Sequence, residues 1–138
     1  MVKTAELSLP TRGNADMHDL TEAVAEHVRA SGLSDGTVTV FCPSSTSAVT
    51  TIEYESGALA DLRRALDELA PASRDYQHNQ RWGDGNGHAH LRAALLGPGL
   101  TVPFTAGKLR LGTWQQILYI DFDNRPRQRS LVVQIIGE

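Results

Sequence analysis

"QQILYIDF", residues 115–122, is the strongest strand signal in the chain, and "SLVVQII", residues 130–136, follows it after the turn-forming "DNRP". Both runs are rich in β-branched and aromatic residues, which favour extended structure. Shorter strand-like runs, separated by "AGK" and "LGT", precede them from Leu100 onward. The last third of the chain is therefore predicted to be a series of strands.

The earlier part of the chain alternates strand signals with helix signals. "VKTAELSL", residues 2–9, predicts a strand that Pro10 and Gly13 interrupt. "TVTVFC" (37–42) and "TSAVTTIEY" (46–54) predict two strands that are separated only by "PSS" and pair with each other antiparallel. This order is not a regular βαβ alternation, so the sequence predicts an α+β fold with a mostly antiparallel sheet.

Two amphipathic helices are predicted before residue 71 from apolar residues spaced by three and four. The first is capped by Asn14 or Asp16 and ends at Gly32. The second covers residues 57–70. Their apolar faces consist of Met17, Leu20, Val24 and Val28 in the first helix and Leu59, Leu62, Leu66 and Leu69 in the second. A third helix is predicted further along the chain, which gives about three in total.

The composition predicts one compact domain, residues 1–138, that binds neither nucleic acid nor a membrane. Hydrophobic residues make up 41% of the chain, enough for one core. The formal net charge is -3, and the charged residues are mixed along the chain without a basic block. No apolar run approaches the roughly 18 residues of a membrane helix. Since the N-terminal segment lacks a signal-peptide core and Cys42 is the only cysteine, a cytoplasmic protein is expected.

The segment "YQHNQRWGDGNGHAHL", residues 76–91, contains three of the five histidines, one aspartate and three glycines. Histidine is the commonest metal ligand, and His78, His88 and His90 can supply nitrogen donors, with Asp84 as an oxygen donor. The spacing is not of the HExxH or CxxC type. A solvated or hydrogen-bonding loop is therefore the alternative interpretation.

A third helix, predicted in "NGHAHLRAALLG" with Asn86 as its cap, limits which histidines can converge. Helical residues two apart point about 200° from each other, so His88 and His90 cannot both face one site. We predict that His90 faces the site with His78. The start of this helix also offers N–H donors and the positive end of its dipole to a phosphate or carboxylate, which makes an anion site a second hypothesis.

Two other polar segments are candidates for function. "PSSTSAVTTIEYE", residues 43–55, has four consecutive hydroxyl residues, but no G-x-S-x-G elbow accompanies them to indicate a hydrolase. Those hydroxyls are also the type of side chain that satisfies the backbone of a turn. The arginines of "RPRQR", residues 125–129, would add positive charge to a site, although such residues are commonly a solvated turn.

Four stretches in one order resemble the YjbQ family, also called the secondary thiamine-phosphate synthase family. The most specific is "LGTWQQILYIDFD" (111–123), in which Gly112-Thr113-Trp114-Gln115 matches the family's G-T-W-Q before an apolar strand with an acidic end. The others are "STSAVTTIEYE" (45–55), "YQHNQRWGDGNGHAHLRAALLG" (76–97) and "RPRQR" (125–129). The resemblance implies a YjbQ-like α+β fold and a homotrimer with a polar pocket near the subunit interface.

The resemblance also implies site residues. His78 and His90 are the expected catalytic or metal-binding residues, with Asp84 and Asn86 beside them. Further candidates are Ser45, Thr46, Ser47, Thr113 and Gln115 for substrate binding and His88 as another metal ligand. The family usually has His-Thr-Ser/Thr-Ala where this chain has Ser45-Thr46-Ser47-Ala48. Ser45 thus replaces a strong ligand for a divalent metal such as Zn²⁺, and the expected metal affinity is lower.

The activity attached to the family joins a pyrimidine diphosphate to a thiazole phosphate, giving thiamine phosphate and pyrophosphate, as a secondary activity. The resemblance therefore implies a small phosphorylated ligand, with His78 or His90 as proton donor to the leaving group. The alternative is a trimeric protein that binds a small anion or a metal without turnover, which the replacement by Ser45 favours. A third hypothesis is an interaction protein that uses the pocket only as an interface.

Overall fold

The computed structural model describes residues 1–138 as two antiparallel sheets and four helices. The strands are β1 Val2–Thr11, β2 Asp16–Asp19, β3 Gly36–Phe41, β4 Ser47–Ile52, β5 Gly99–Thr105, β6 Lys108–Leu109, β7 Gln116–Asp121 and β8 Arg127–Gly137. The helices are α1 Thr21–Ser31, α2 Ser56–Leu69, α3 Gln77–Trp82 and α4 Gly87–Leu96. The predicted α+β class is confirmed, and α3 is a short helix beyond the three expected.

The smaller sheet is covered on both of its faces. Its strand order is β2-β7-β4, and that of the larger sheet is β1-β8-β3-β5-β6. Ile117 and Tyr119 of β7 pack into the apolar cluster shared with α1 and the larger sheet. Ile120 and Phe122 pack instead with residues of α2 and α4. A strand buried on both faces has no polar side, which explains the continuous apolar run in β7.

The predicted pairing of "TVTVFC" with "TSAVTTIEY" is wrong. β3 pairs with β5 and β8 in the larger sheet, whereas β4 pairs with β7 in the smaller one. The short connection between them crosses from one sheet to the other, and Cys42 at its start is buried in the larger core. Closeness in sequence favoured a hairpin, but the pairing depends on which sheet buries the apolar face of each strand.

The predicted start of α1 is also wrong. Met17 lies in β2, and neither Asn14 nor Asp16 caps the helix. The helix begins at Thr21, whose backbone N–H and hydroxyl both donate to Asp19 Oδ1, at 2.9 and 2.6 Å. Residues 16–19 match a helical spacing but form the short strand β2, because they pair with β7. This tertiary pairing outweighs the local helical preference.

Other predicted boundaries are close to the observed ones. Gly32, with a positive φ of 71°, ends α1, and α2 covers Ser56–Leu69 against the predicted 57–70. Pro10 does not interrupt the first strand, because β1 is an edge strand of the larger sheet and continues to Thr11. An edge strand tolerates a residue without an N–H donor. No helix is both long and apolar enough to cross a bilayer.

Candidate metal and anion site

His78, Asp84 and His90 come together from three consecutive segments, and we call them the triad. His78 lies on α3, Asp84 in the following loop and His90 in the first turn of α4. One possible ligand atom from each residue lies within 4.8 Å of the other two. The imidazole centroids of His78 and His90 are 4.2 Å apart. The two rings predicted to face one site therefore lie in contact.

The loop that carries Asp84 is fixed by turns and backbone hydrogen bonds. Gly83 and Gly85 have positive φ values of 64° and 68°, which glycine adopts without strain. Asp84 Oδ1 accepts from the backbone N–H of Asn86 at 3.1 Å. A Cβ at Gly87 would collide with the Tyr76 side chain, so the close packing of α4 on α3 depends on this glycine. That packing brings His90 to His78.

The triad has the donor set that a divalent metal requires. Burial lowers the pKa of His90, and the neighbouring His78 lowers it further, so His90 is neutral at pH 7. Nδ1 of His78 is buried and lies 3.3 Å from the Asp84 carboxylate, but the contact lacks hydrogen-bond geometry. Two imidazoles and one carboxylate match the ligands of zinc and similar ions and leave a coordination position open. These residues fit such a metal.

Asp84 and His90 of the triad, but not His78, line a polar pocket of about 620 Å³, in which none of the twelve lining residues is hydrophobic. The lining residues are Pro43, Ser44, Ser45, Thr46, Asp84, Asn86, His90, Asp123, Asn124, Arg125, Arg127 and Arg129. Three arginines and two aspartates leave the lining with one net positive charge when the histidine is neutral. The pocket thus combines side chains of the type that bind anions with side chains of the type that bind metals.

Arg129 is fixed by a completely buried carboxylate. Its Nε and Nη2 donate to the two oxygens of Asp121, at 2.7 and 2.9 Å. These hydrogen bonds raise the pKa of Arg129. The Thr11 hydroxyl donates to the same carboxylate at 2.6 Å. A bidentate pair of this kind fixes both the position and the plane of the guanidinium.

Asp123 fixes a second arginine. Arg127 Nε donates to the Asp123 carboxylate at 3.2 Å, and the Thr46 hydroxyl donates to it at 3.1 Å. Burial raises the pKa of Asp123, but hydrogen bonds from Asn86 and Arg127 outweigh burial and hold the pKa below its usual value. The side chain of Arg125, by contrast, makes no hydrogen bond or ion pair within the chain. We call Asp121, Asp123, Arg127 and Arg129 the carboxylate–arginine cluster.

Asn124 connects this cluster to the triad. Its backbone N–H donates to Asn86 Oδ1 at 3.0 Å, and its side-chain amide donates to the Asp84 carbonyl at 2.7 Å. Asn86 is 6% exposed and was predicted to bind substrate. It lines the pocket, but its carbonyl oxygen is used in anchoring the loop to the end of β7.

Several predicted site residues lie outside the pocket. His88 is buried on α4, away from the triad, and its Nδ1 has no hydrogen-bond partner. Ser47 is buried behind the lining. The Gln115 amide donates to Thr51 along a different groove, and Thr113 lines neither. Ser45 and Thr46 do line the pocket.

Sequence reasoning missed Asp121, Asp123 and Asn124 as site residues. A signal for them was present, because acidic residues two apart at the end of a buried strand project on one side. Arg127 and Arg129 in β8 have the same spacing. The sequence could not tell that these two strand ends meet.

Two antiparallel sheets flanked by helices, with a polar pocket lined by arginine and histidine, define a small α+β protein. Residues 5–138 match the model of a family described as UPF0047 protein YjbQ-like, and the chain belongs to this family. The resemblance drawn from the sequence motifs is thereby confirmed.

Relatives of similar length match almost end to end. A UPF0047 protein of Archaeoglobus fulgidus is 39% identical over 131 residues, covering 95% of this chain and 99% of its own. The UPF0047 protein YugU of Bacillus subtilis is 30% identical, covering 99% of this chain and 100% of its own. A crystal structure of a YbjQ-like protein of unknown function from Sulfolobus solfataricus is 33% identical with a TM-score of 0.94, covering 100% and 99% of the two chains.

Proposed function

We propose that this protein binds a small phosphorylated molecule in the polar pocket and catalyses a transfer reaction on it, together with a divalent metal at the triad. The observation that carries the proposal is a lining without hydrophobic residues, in which three arginines lie beside metal-type donors. Phosphate groups need cations and N–H donors to replace their hydration, and arginine supplies both in a planar fork.

The arginines have different roles in this proposal. Arg127 and Arg129 are positioned by Asp123 and Asp121 before a ligand arrives, so binding orders few side chains. Arg125 has no internal partner, and its whole charge is available to an anion. Together they bind and orient the phosphate at the edge of the triad.

The histidines suit metal binding better than proton donation. A divalent metal bound to His78, Asp84 and His90 would supply Lewis-acid neutralisation of phosphate oxygens. The lowered pKa of His90 keeps this imidazole neutral at pH 7, the form that binds a metal and does not donate a proton. The Thr46 hydroxyl donates to Asp123 and accepts from Arg129, so it holds both charged side chains in position beside the ligand.

The reaction to test first is the one the family resemblance implies, the joining of a pyrimidine diphosphate to a thiazole phosphate. Purified protein would be incubated with both substrates and Zn²⁺ or Mg²⁺, and thiamine phosphate measured by chromatography. We expect product from the wild type and none from His90→Ala or Arg127→Gln. Matched controls are His27→Ala on α1 and Arg110→Gln outside the pocket, which should retain activity. Equal activity in all four variants would refute the assigned site.

Binding without turnover is the second candidate, and one observation favours it. Ser45 lies in the pocket lining at the position where the family resemblance expects histidine. Cys42 does not provide a nucleophile, because burial raises the pKa of its thiol. This candidate predicts calorimetric binding of phosphate and Zn²⁺ without thiamine phosphate formation. It also predicts that Ser45→His gains the product that the wild type does not form.

A homotrimer is a further part of the proposal. Trp114 is 73% exposed and Leu95 53% exposed, which provides apolar surface for subunit contacts. Light scattering after size-exclusion chromatography should give three times the chain mass of 15.0 kDa. A monomeric mass at micromolar concentration would refute the trimer and leave the pocket proposal to be tested separately.

A further inference from the structure

Asn79 lies next to His78 on α3 and contacts both ends of the loop that carries Asp84. Its backbone carbonyl accepts from the N–H of Gly83 at 2.7 Å, where α3 ends. Its side-chain Oδ1 accepts from the N–H of Gly87 at 2.8 Å, where α4 begins. One residue of α3 therefore holds the loop at its start and at its end.

The hydrogen bond between Asn79 and Gly87 takes the place of a local cap on α4. The N–H groups in the first turn of a helix have no partner within that helix. Asn86 occupies the N-cap position, as predicted, but its side chain makes no capping hydrogen bond. Its Oδ1 accepts instead from the backbone N–H of Asn124. The start of α4 is therefore fixed by a side chain of the preceding helix.

This hydrogen bond and the contact between the two histidines lie about one turn apart on α4. Gly87 and His90 are three residues apart, a spacing that places both on one side of the helix. Their partners on α3, Asn79 and His78, are consecutive residues. A Cβ at Gly87 would lie 3.0 Å from Asn79 Oδ1 and closer still to the Tyr76 side chain, so the close approach needs glycine. The two helices are thus joined at two points, and the hydrogen bond limits how His90 moves against His78.

We propose that Asn79 is a positioning residue of the triad, which is not itself a ligand but holds His78, Asp84 and His90 at the separation that a divalent metal requires. This inference rests on the proposed metal-binding function of the triad. Groups that orient metal ligands contribute strongly to metal affinity. Ligands that are ordered before binding also lose less conformational entropy when the metal arrives.

Two substitutions at Asn79 test this role through the Zn²⁺ affinity of the folded protein, measured by competition with a chromophoric chelator. We expect Asn79→Ala to bind Zn²⁺ roughly fivefold more weakly than the wild type, the effect of one net hydrogen bond. Asn79→Asp keeps an acceptor at the start of α4, where the helix dipole favours negative charge, and should bind at least as tightly as the wild type. Asn79→Ala should leave the affinity of the metal-free protein for inorganic phosphate unchanged, because the aspartates of the carboxylate–arginine cluster hold its arginines.

Gln80, the next residue on α3, supplies matched controls, because it is exposed and lies outside the contact with α4. Gln80→Ala should leave the Zn²⁺ affinity unchanged. Gln80→Asp measures the effect of an added carboxylate on α3 without a hydrogen bond to Gly87. At high ionic strength, which screens exposed charges, the gain in affinity from Ala to Asp should be larger at position 79 than at position 80. Equal gains would show that charge, and not the hydrogen bond, sets the affinity, and the proposal would be wrong.

Amide hydrogen exchange in the metal-free protein tests the contact itself. The N–H of Gly87 should exchange faster in Asn79→Ala than in the wild type, and slowly again in Asn79→Asp. Unchanged exchange in Asn79→Ala would show that this side chain does not hold α4 and would overturn the proposal. A lower free energy of unfolding in Asn79→Ala with an unchanged Zn²⁺ affinity would also overturn it, because the role of Asn79 would then be structural alone.

A failure of this inference can be told apart from a failure of the proposed function. If the wild type does not bind Zn²⁺, the metal-binding part of the proposed function is wrong, and the positioning role of Asn79 is wrong with it. If the wild type binds Zn²⁺ and Asn79→Ala binds it equally tightly, only the positioning role is wrong.

Discussion

The triad and the carboxylate–arginine cluster both contribute residues to the polar pocket, but they differ in how well their atoms are paired. Asp121 accepts hydrogen bonds from Arg129, from the Thr11 hydroxyl and from the backbone N–H of Asp123. The triad has a single ion-pair contact, 3.3 Å between His78 and Asp84, without hydrogen-bond geometry. Side chains that are paired within the chain contribute to the stability of the fold in any condition, whereas side chains that bind a ligand contribute to it only when the ligand is present. Substitutions in the two clusters should therefore have opposite signatures.

The largest expected effect on stability comes from Asp121→Asn. Loss of the carboxylate leaves the Arg129 charge, 15% exposed, without its bidentate partner. We expect the free energy of unfolding to fall by about 3 kcal/mol, measured by urea denaturation. Asp61→Asn, which breaks an exposed pair with Arg64, is the control and should change it by less than about 1 kcal/mol. Equal effects in the two variants would contradict the structural role of the cluster.

His78→Ala should show the opposite signature. Removing one of three ligands should weaken Zn²⁺ binding by about 100-fold, measured by competition with a chromophoric chelator. The free energy of unfolding of the metal-free protein should stay close to that of the wild type, because no hydrogen bond within the fold is lost. His27→Ala on α1 should leave Zn²⁺ affinity unchanged. A large loss of unfolding free energy in metal-free His78→Ala would contradict the proposed difference between the triad and the carboxylate–arginine cluster.

Asn124→Ala tests whether the two clusters act as one unit. It removes the 2.7 Å hydrogen bond to the Asp84 carbonyl that positions the loop of the triad. We expect Zn²⁺ and phosphate affinities to fall together, each by roughly fivefold, since one hydrogen bond is worth about 1 kcal/mol. Arg125→Gln should instead weaken phosphate binding alone. If Asn124→Ala changes neither affinity, the connection has no functional role.

The smallest expected effect is the pH dependence contributed by His90. Burial, together with the neighbouring His78, holds its folded pKa below the ordinary value of 6.5, so only well above pH 6.5 is the imidazole neutral in both the folded and the unfolded chain. As the pH falls through 6.5, the unfolded chain takes up the proton first, and stability decreases. Urea denaturation at pH 7.5 and 5.5 should therefore show a smaller acid-induced loss in His90→Ala than in the wild type. An identical loss would indicate that the environment of His90 does not disfavour its charge.

The sequence predicted those elements whose signal lies within a few residues. The leucines of α2 repeat on one helical face. Gly32 ends α1 because glycine adopts the left-handed backbone conformation without strain. The α1 start was misplaced because residues 16–19 have helical spacing but pair with β7. β3 and β4 were paired wrongly because alternation does not specify a partner.

The candidate site was likewise predicted only in part from the sequence. His78 and His90 could be chosen together because helical geometry excludes His88 from the side of α4 that carries His90. The spacing of Asp121 and Asp123 places both on one side of the chain, but acidic residues after a strand are common and the spacing does not show which other segment they face. Their role depends on Arg127 and Arg129 of β8 reaching the end of β7, which lies in the other sheet.

By itself, the sequence determined the α+β class, the family and the pair of histidines whose rings lie together, since these follow from residue spacing and from motifs within single segments. Only the tertiary structure decided that the histidine loop, the end of β7 and the arginines of β8 form one pocket lined by polar residues. The physical reason is that hydrogen bonds and ion pairs between distant segments form only after burial of the two apolar faces of β7 has brought those segments together.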